Sequence, residues 1–282
     1  MNLSRRAVIA AAPGLAGSRV SAANPIQALE HRVGGRIGVI AADLGTGRTL
    51  AWRAHERFLM CSTFKASLAG LVLSRVDQGR ERLDRRVPLR AADVPDWWAP
   101  VARANLARGE MTIAELCAAA VEQSDNSCAN LLLAAVGGPP AMTAFWRRLG
   151  DPVTRLDDTE PLLNRTPAGD PRNRTTPAAM ASDVRALALG PALMPGSRAR
   201  LIAWMLACKT GLGRLRAGLP AGWRIGDKTG SNDAGAGGDL AIAWPRAAAP
   251  PIVIAAYVED VRRNGAAFDA VFAAIGRMLV QL

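Results

Sequence analysis

The chain has 282 residues, half of them hydrophobic, and 35 basic against 24 acidic side chains give it a formal net charge of +11. That length supports one large domain or two interleaved ones around a substantial core. No apolar run reaches the roughly 18 residues of a membrane span, and the arginines are scattered without a long basic run or interleaved aromatics; both facts argue against a bilayer-embedded body and a nucleic-acid partner.

Residues 1–22 read as an export signal. Ser4-Arg5-Arg6 opens a basic start, Ala7 to Gly17 is small and apolar, and Val20-Ser21-Ala22 offers a small-x-small cleavage pattern. The arginine pair is compatible with a twin-arginine route. Removing this segment takes away Arg5, Arg6 and Arg19 and no acid, leaving a mature charge of +8. The mature product is expected to be exported, without stable membrane insertion, and monomeric.

Beyond the signal, Pro25 to Val33 reads as a short helix. Arg36 to Asp43 and Arg48 to Arg53 read as strands joined by a turn at Leu44-Gly45-Thr46-Gly47. Ser62 opens a helical pattern to about Gly79, with Phe64, Leu68, Leu71, Val72 and Val76 on one side. To about Cys208 the pattern is helix and loop, with helices over Thr112 to Val121, Ser127 to Val136, Pro139 to Leu149 and Pro177 to Leu189. Trp223 to Asp227, Asp239 to Trp244 and Ile252 to Glu259 then read as strands, and Ala266 to Leu282 as a closing amphipathic helix. This order predicts an α/β (α+β) fold: a mixed, mainly antiparallel sheet built from both chain ends, flanked by terminal helices, with an all-helical lobe inserted. The division expected is 23–61 with 209–282 as the α/β lobe and 62–208 as the helical lobe, with the active site between them.

Only three of the 35 basic residues are lysines, Lys65, Lys209 and Lys228. Arginine is effectively never deprotonated, whereas lysine can lose its proton in a suitable site. A lysine kept in so arginine-rich a chain therefore marks a place where proton transfer is worth seeking. Histidine is scarce, with only His31 and His55, so a Ser-His-Asp triad and a zinc site of His and Cys ligands both lack material. Cys61, Cys117, Cys128 and Cys208 permit disulfides in an exported protein without dictating them.

Three short motifs carry chemistry. In Cys61-Ser62-Thr63-Phe64-Lys65, Ser62 and Lys65 stand three residues apart and share a helix face, so a lysine amine can reach the serine proton. The helix start also offers unpaired N–H groups to an oxyanion. In Ser124-Asp125-Asn126, a hydroxyl can relay a proton to a leaving amine and an amide can hold a substrate amide. Lys228-Thr229-Gly230-Ser231 presents a cation and two hydroxyls beside a glycine, suited to an anionic group along a strand edge. Taken singly, each has a plain structural alternative: a serine N-cap, a helix cap, and an edge strand kept soluble by a lysine.

Together and in this order, S-x-x-K, S-D-N and K-T-G resemble the signature of class A serine β-lactamases and penicillin-binding proteins. A fourth segment, Glu160-Pro161-Leu162-Leu163-Asn164, is similar to the E-P-x-L-N loop that separates the β-lactamases from their transpeptidase relatives. The resemblance spans nearly the whole mature chain and implies a hydrolase of β-lactam amide bonds, acting on small molecules without metal or organic cofactor. It implies that Ser62 is the nucleophile, with Lys65 or Glu160 taking its proton. Ser124 would relay a proton to the departing nitrogen, and Glu160 with Asn164 would drive deacylation. Asn126 would hold the substrate's amide arm; Lys228, Thr229, Gly230 and Ser231 would form the carboxylate site, with the N–H groups of Ser62 and Ser231 as oxyanion hole. Trp98 would border the pocket and Arg214 would support the carboxylate site. A D,D-peptidase, or a sensor that stays acylated on Ser62, is the alternative.

The sequence also departs from that family. The positions where many members tie the acidic loop with an Arg–Asp ion pair hold Asp158 and Asn173, so that ion pair cannot form. The expectation is that Asp158 meets Arg172 or Arg174, or that the loop is looser. Cys61 precedes the nucleophile as in some broad-spectrum relatives, but Asn232 stands where its disulfide partner would be, and Ala69 stands where a common partner of Cys117 would be.

Overall fold

A computed structural model describes residues 24–246, 249–261 and 266–282. The candidate export signal, residues 1–22, lies outside the described residues. Helix α1 (Pro25–Val33) starts on an Asn24 side chain that accepts from the Ile26 amide at 3.0 Å, with Pro25 in the first turn, where its missing N–H costs nothing. Strands β1 (Arg36–Asp43) and β2 (Thr49–Trp52) form the expected hairpin, and β3 (Phe58–Leu59) leads into a tight 3-10 turn over Cys61–Thr63. The central helix α2 (Phe64–Asp77) follows and is buried along most of its length.

The helical part continues through a β4 (Arg86–Pro88) and β5 (Glu110–Thr112) hairpin around the short α3 (Pro100–Asn105). Helix α4 (Ile113–Glu122) begins with a capping box, Thr112 accepting from the Glu115 amide while the Glu115 carboxylate accepts from that of Thr112. Helices α5 (Asn126–Val136) and α6 (Gly138–Leu149) meet at 75°, a corner made by Gly137 and Gly138 at φ 106° and 76°. A loop leads to β6 (Arg174–Thr175), then α7 (Pro177–Ala188), α8 (Pro195–Leu206) and the single turn α9 (Leu215–Gly218). The chain closes with β7 (Arg224–Ser231), β8 (Gly237–Trp244), β9 (Ile252–Glu259) and α10 (Ala266–Leu279).

The main sheet has the order β2-β1-β9-β8-β7, every neighbour antiparallel, so the two chain ends share one sheet as expected. Its strands alternate between two cores. Val253, Ala255 and Tyr257 of β9 pack with the helices around α2, whereas Ile252, Ile254, Ala256 and Val258 pack with α1 and α10 through Ile26, Leu29, Phe272 and Ile275. Because both faces are covered, β9 reads as an unbroken apolar run rather than an alternating one. Among the described residues no single helix is long and apolar enough to cross a membrane.

One buried acid pair sits in the helical part. Asp151 Oδ1 accepts from the amides of Val153 and Thr154, while its Oδ2 and Asp183 Oδ2 on α7 are buried and take no other hydrogen bond. Burial, then the neighbouring Asp151, pushes the Asp183 carboxyl up to about 9. A proton shared between the two oxygens satisfies both. Between 3.8 and about 9 the folded chain holds a proton that the unfolded chain has released, so this pair costs stability increasingly as pH rises through that window. Asp183→Asn, which can donate to Asp151 but cannot ionise, should raise the melting temperature by about 2–4 °C near pH 8 and leave it unchanged near pH 4. Thermal unfolding at the two pH values checks this; an equal shift at both would show that the pair shares no proton.

Candidate active site

The site is assembled where β7, the turn before α2, the start of α5 and the loop after α6 converge. Ser62 lies in the 3-10 turn and Lys65 one turn on in α2, both buried. Cys61 has φ 44° and Ser124 φ 58°, a strained conformation for non-glycine residues that the surrounding packing must hold. The four cysteines are buried thiols, and no disulfide joins them.

The centre is Glu160. Its Oε1 accepts from the Ser62 hydroxyl at 2.9 Å and lies 2.9 Å from Lys65 Nζ, and its Oε2 accepts from Asn164 Nδ2 at 2.6 Å. Both side chains of the Lys65–Glu160 pair are fully buried. A buried carboxylate is strongly disfavoured unless paired and hydrogen-bonded, and here three groups meet its two oxygens. Lys65 Nζ also donates to the Ser124 carbonyl at 2.9 Å and to Asn126 Oδ1 at 2.6 Å.

Ser124 is held from the other side. Lys228 Nζ on β7 donates to its Oγ at 3.0 Å. Burial, reinforced by the charge of Lys65, pushes the Lys228 ammonium down to about 7. Asp125, the middle residue of that motif, faces away from the cleft: fully buried, it caps α5 through the Cys128 amide and accepts from Val101 and Ala102 at the start of α3. It fixes Ser124 and Asn126 without facing the cleft.

A cleft of about 660 Å³ joins these groups, lined by Ser62, Trp98, Ser124, Asn126, Asn164 and Thr229 among others. β7 presses against the backbone of Ser62: a Cβ on Gly230 would stand 2.6 Å from the Ser62 amide nitrogen, so only glycine fits. Ser231 follows it along the cleft, and Thr229 shares a 2.5 Å hydroxyl contact with Thr210. Trp98 is 60% exposed at the rim, its indole N–H donating to the Gln123 carbonyl. Arg214 is buried, its guanidinium bonded to Asp269 and to the Gly230 and Gly238 carbonyls at 2.9 Å, above Phe268 and Phe272. It braces the β7–β8 edge.

The loop that carries Glu160 is tied through Asn173, the position at which the sequence analysis ruled out the family's ion pair. Asn173, fully buried at φ 55°, accepts from the amides of Asp157 and Asp158 through Oδ1 and donates through Nδ2 to the Asp158 carboxylate at 2.8 Å and to Thr166 Oγ1 at 2.7 Å. An amide thus replaces the charged partner. Arg172 reaches Asp158 only at 3.4 Å from an exposed position, and Arg174 turns to Glu259 on β9 at 2.5 Å instead of to Asp158. The Arg155 amide closes the loop's neck on the Arg174 carbonyl at 3.1 Å. Asn130, not singled out from sequence, clamps the Glu160 backbone at both ends, accepting from its N–H at 3.0 Å and donating to its carbonyl at 2.9 Å. Its one signal in the sequence is its place a helical turn after Asn126, on the same face. Asn232, Asp233 and Arg165 also line the cleft without having been foreseen.

With this geometry in view, comparison with known proteins is decisive. The profile of the β-lactamase enzyme family matches residues 21–282. The chain is 44% identical to β-lactamase L2 of Stenotrophomonas maltophilia over 280 residues, 99% of this chain and 92% of that protein. The chain is a class A serine β-lactamase. Among solved structures it is similar to an ancestral class A β-lactamase, GNCA, at 53% identity and a TM-score of 0.88, covering 91% of this chain and 98% of that one. It is likewise similar to the last common ancestor of Gram-negative class A β-lactamases, GNCA4, at 52% identity and a TM-score of 0.88, over 91% and 97% of the two chains.

For this β-lactamase, the loop tie makes a direct prediction. Asn173→Gly keeps the positive φ but removes four buried hydrogen bonds, and should destabilise the enzyme by about 2–4 kcal/mol and speed hydrogen exchange at the Asp157 and Asp158 amides. Asp158→Ala, losing one of those bonds and a partly exposed ion pair, should cost about 1 kcal/mol. Denaturant melts and amide exchange check both; an Asn173→Gly loss no larger than that of Asp158→Ala would contradict the assignment.

Proposed function

We propose that this enzyme, which hydrolyses the amide bond of β-lactams, does so through a covalent ester on Ser62 that is released by a water activated by Glu160. The observation carrying this reading is the 2.9 Å approach of one Glu160 oxygen to both the Ser62 hydroxyl and Lys65 Nζ. Glu160 and Lys65 meet at that oxygen, so either can take the hydroxyl's proton, and Lys65 passes it on towards Ser124. Attack on the lactam carbonyl develops an oxyanion, which the Ser62 and Ser231 amides receive. Ser124, hydrogen-bonded to Lys228, relays that proton to the departing nitrogen, which leaves Glu160 a carboxylate.

Once Ser62 is esterified its proton is on the departed nitrogen and its oxygen no longer donates to Glu160 Oε1. A water there, oriented by the same carboxylate with Asn164 fixing Oε2, attacks the ester; general-base help of this kind is worth about 10² to 10⁴ in rate. Asn126 has its Oδ1 engaged by Lys65, which leaves its Nδ2 to donate to the substrate's acyl carbonyl. Lys228, Thr229, Gly230 and Ser231 receive the substrate carboxylate, Arg214 braces that strand through the Gly230 carbonyl, and Trp98 borders the entrance. We further propose that residues 1–22 direct export, that the enzyme works outside the cytoplasm as a monomer, and that 23–61 with 209–282 and 62–208 act as two lobes around the cleft.

Continuous turnover of a chromogenic cephalosporin by the native enzyme, abolished in Ser62→Ala, tests the reading; a single stoichiometric burst followed by silence would instead make the protein an acylated sensor. Lys65→Arg should fail despite keeping its charge, because a guanidinium cannot pass a proton. The depressed Lys228 adds a pH signature. As a cation it binds the substrate carboxylate below about 7, and it loses that charge as pH rises through the same value. KM should therefore rise on the alkaline side in the native enzyme and stay flatter in Lys228→Arg; a flat native profile would remove Lys228 from carboxylate binding.

A further inference from the structure

The loop that carries Glu160 and the strand β6 that follows it hold four arginines, and three are engaged. Arg155 pairs with Asp157, Arg172 with Asp170 and Asp158, and Arg174 with Glu259. The fourth, Arg165, lines the active-site cleft, and its guanidinium has no carboxylate or carbonyl partner among the described residues. Its backbone is nonetheless pinned on both sides. Asn164 before it is bonded to Glu160 and, through its carbonyl, to Asn232 Nδ2 at 2.9 Å; Thr166 after it accepts from Asn173 and donates to the Leu163 carbonyl. The neighbouring backbone is fixed while the Arg165 side chain is exposed at the cleft.

The other cations nearby have their work assigned. Lys65 is paired with Glu160, Arg214 with Asp269 and two carbonyls, and Lys228 is taken by Ser124 and the expected substrate carboxylate. Asp233 shares the cleft but makes no ion pair with Arg165. A positive end without a partner, in the cleft that Asn126 also lines, attracts negative charge on the acyl arm and repels positive charge.

We propose that Arg165 is a specificity-determining residue that favours β-lactams whose acyl side chain carries a carboxylate. This rests on the reading above, in which the substrate's own ring carboxylate lies at Lys228 and its acyl arm at Asn126; Arg165 lines the same cleft as Asn126. The contact is at the rim, so its effect is modest and sensitive to salt.

The test uses three penicillins that differ only in the group on the side-chain α-carbon: benzyl (neutral), α-carboxybenzyl (anionic) and α-aminobenzyl (cationic). The measured quantity is kcat/KM for each charged compound divided by that for the neutral one, in which effects common to all three cancel. Relative to native enzyme, the anionic ratio should fall about threefold in Arg165→Ala, the scale of one exposed ion pair, and about tenfold in Arg165→Glu. Arg165→Lys should restore it to within about twofold, and the cationic ratio should rise in Arg165→Glu. Both changes should shrink at roughly 0.5 M salt. Ratios that do not move in Arg165→Glu, or that move equally for anion and cation, would overturn the proposal. Mass spectrometry of the quenched native reaction separates this from the reading beneath it: no acyl adduct on Ser62 sinks both, whereas an adduct with unmoved ratios sinks only the role of Arg165.

Discussion

A single carboxylate, buried where a carboxylate does not belong, organises this molecule. Left alone in a protein interior, Glu160 would be neutralised or expelled, because taking an ion out of water costs several kcal/mol even after relaxation. It stays because Lys65 and Ser62 approach one of its oxygens and Asn164 the other. The partners converge from several elements. Ser62 lies in the 3-10 turn that leads into α2, Lys65 in the first turn of that buried helix and Asn164 on the same loop as the acid, while Asn130 on α5 grips the acid's backbone. The arrangement requires α2, α5 and the loop to be correctly placed together, which makes the site a consequence of the whole helical core.

The sheet contributes the opposite wall by close approach. Gly230 lets β7 reach the backbone of Ser62, and Arg214 holds that strand through the Gly230 and Gly238 carbonyls while anchored on Asp269 of α10. Lys228 thereby comes to face Ser124 across the cleft. Burial and the charge of Lys65 weaken the hold of Lys228 on its proton, which explains why this arginine-rich chain keeps a lysine at 228: arginine would carry the charge but could not release it.

Much of this was legible in the sequence, for identifiable reasons. The sheet from both chain ends followed from apolar strand runs at each end with helical periodicity between them, and the family followed from four motifs in order. The short terminal strands blurred by a residue or two, and β7 runs on through Ser231 where its apolar signal stops at Asp227, because its last residues are small or polar ones at the cleft. What was not legible were partnerships set by tertiary distance. The pairing of Asp158 with an asparagine was missed because only opposite charges were sought, whereas Asn173 supplies both a donor and a doubly used acceptor. Asn130, Asn232 and Arg165 carry no motif of their own; their places depend on how the loop folds back over α5 and β7.

The central claim is that Glu160 is the base that frees the enzyme from its own ester. It is tested most directly by intact mass spectrometry of Glu160→Ala mixed with a penicillin. The account predicts a protein heavier by the whole substrate, with the added mass located on Ser62 and persisting long after the native enzyme has returned to its free mass. A Glu160→Ala protein that shows no lasting adduct and turns substrate over at the native rate would contradict it.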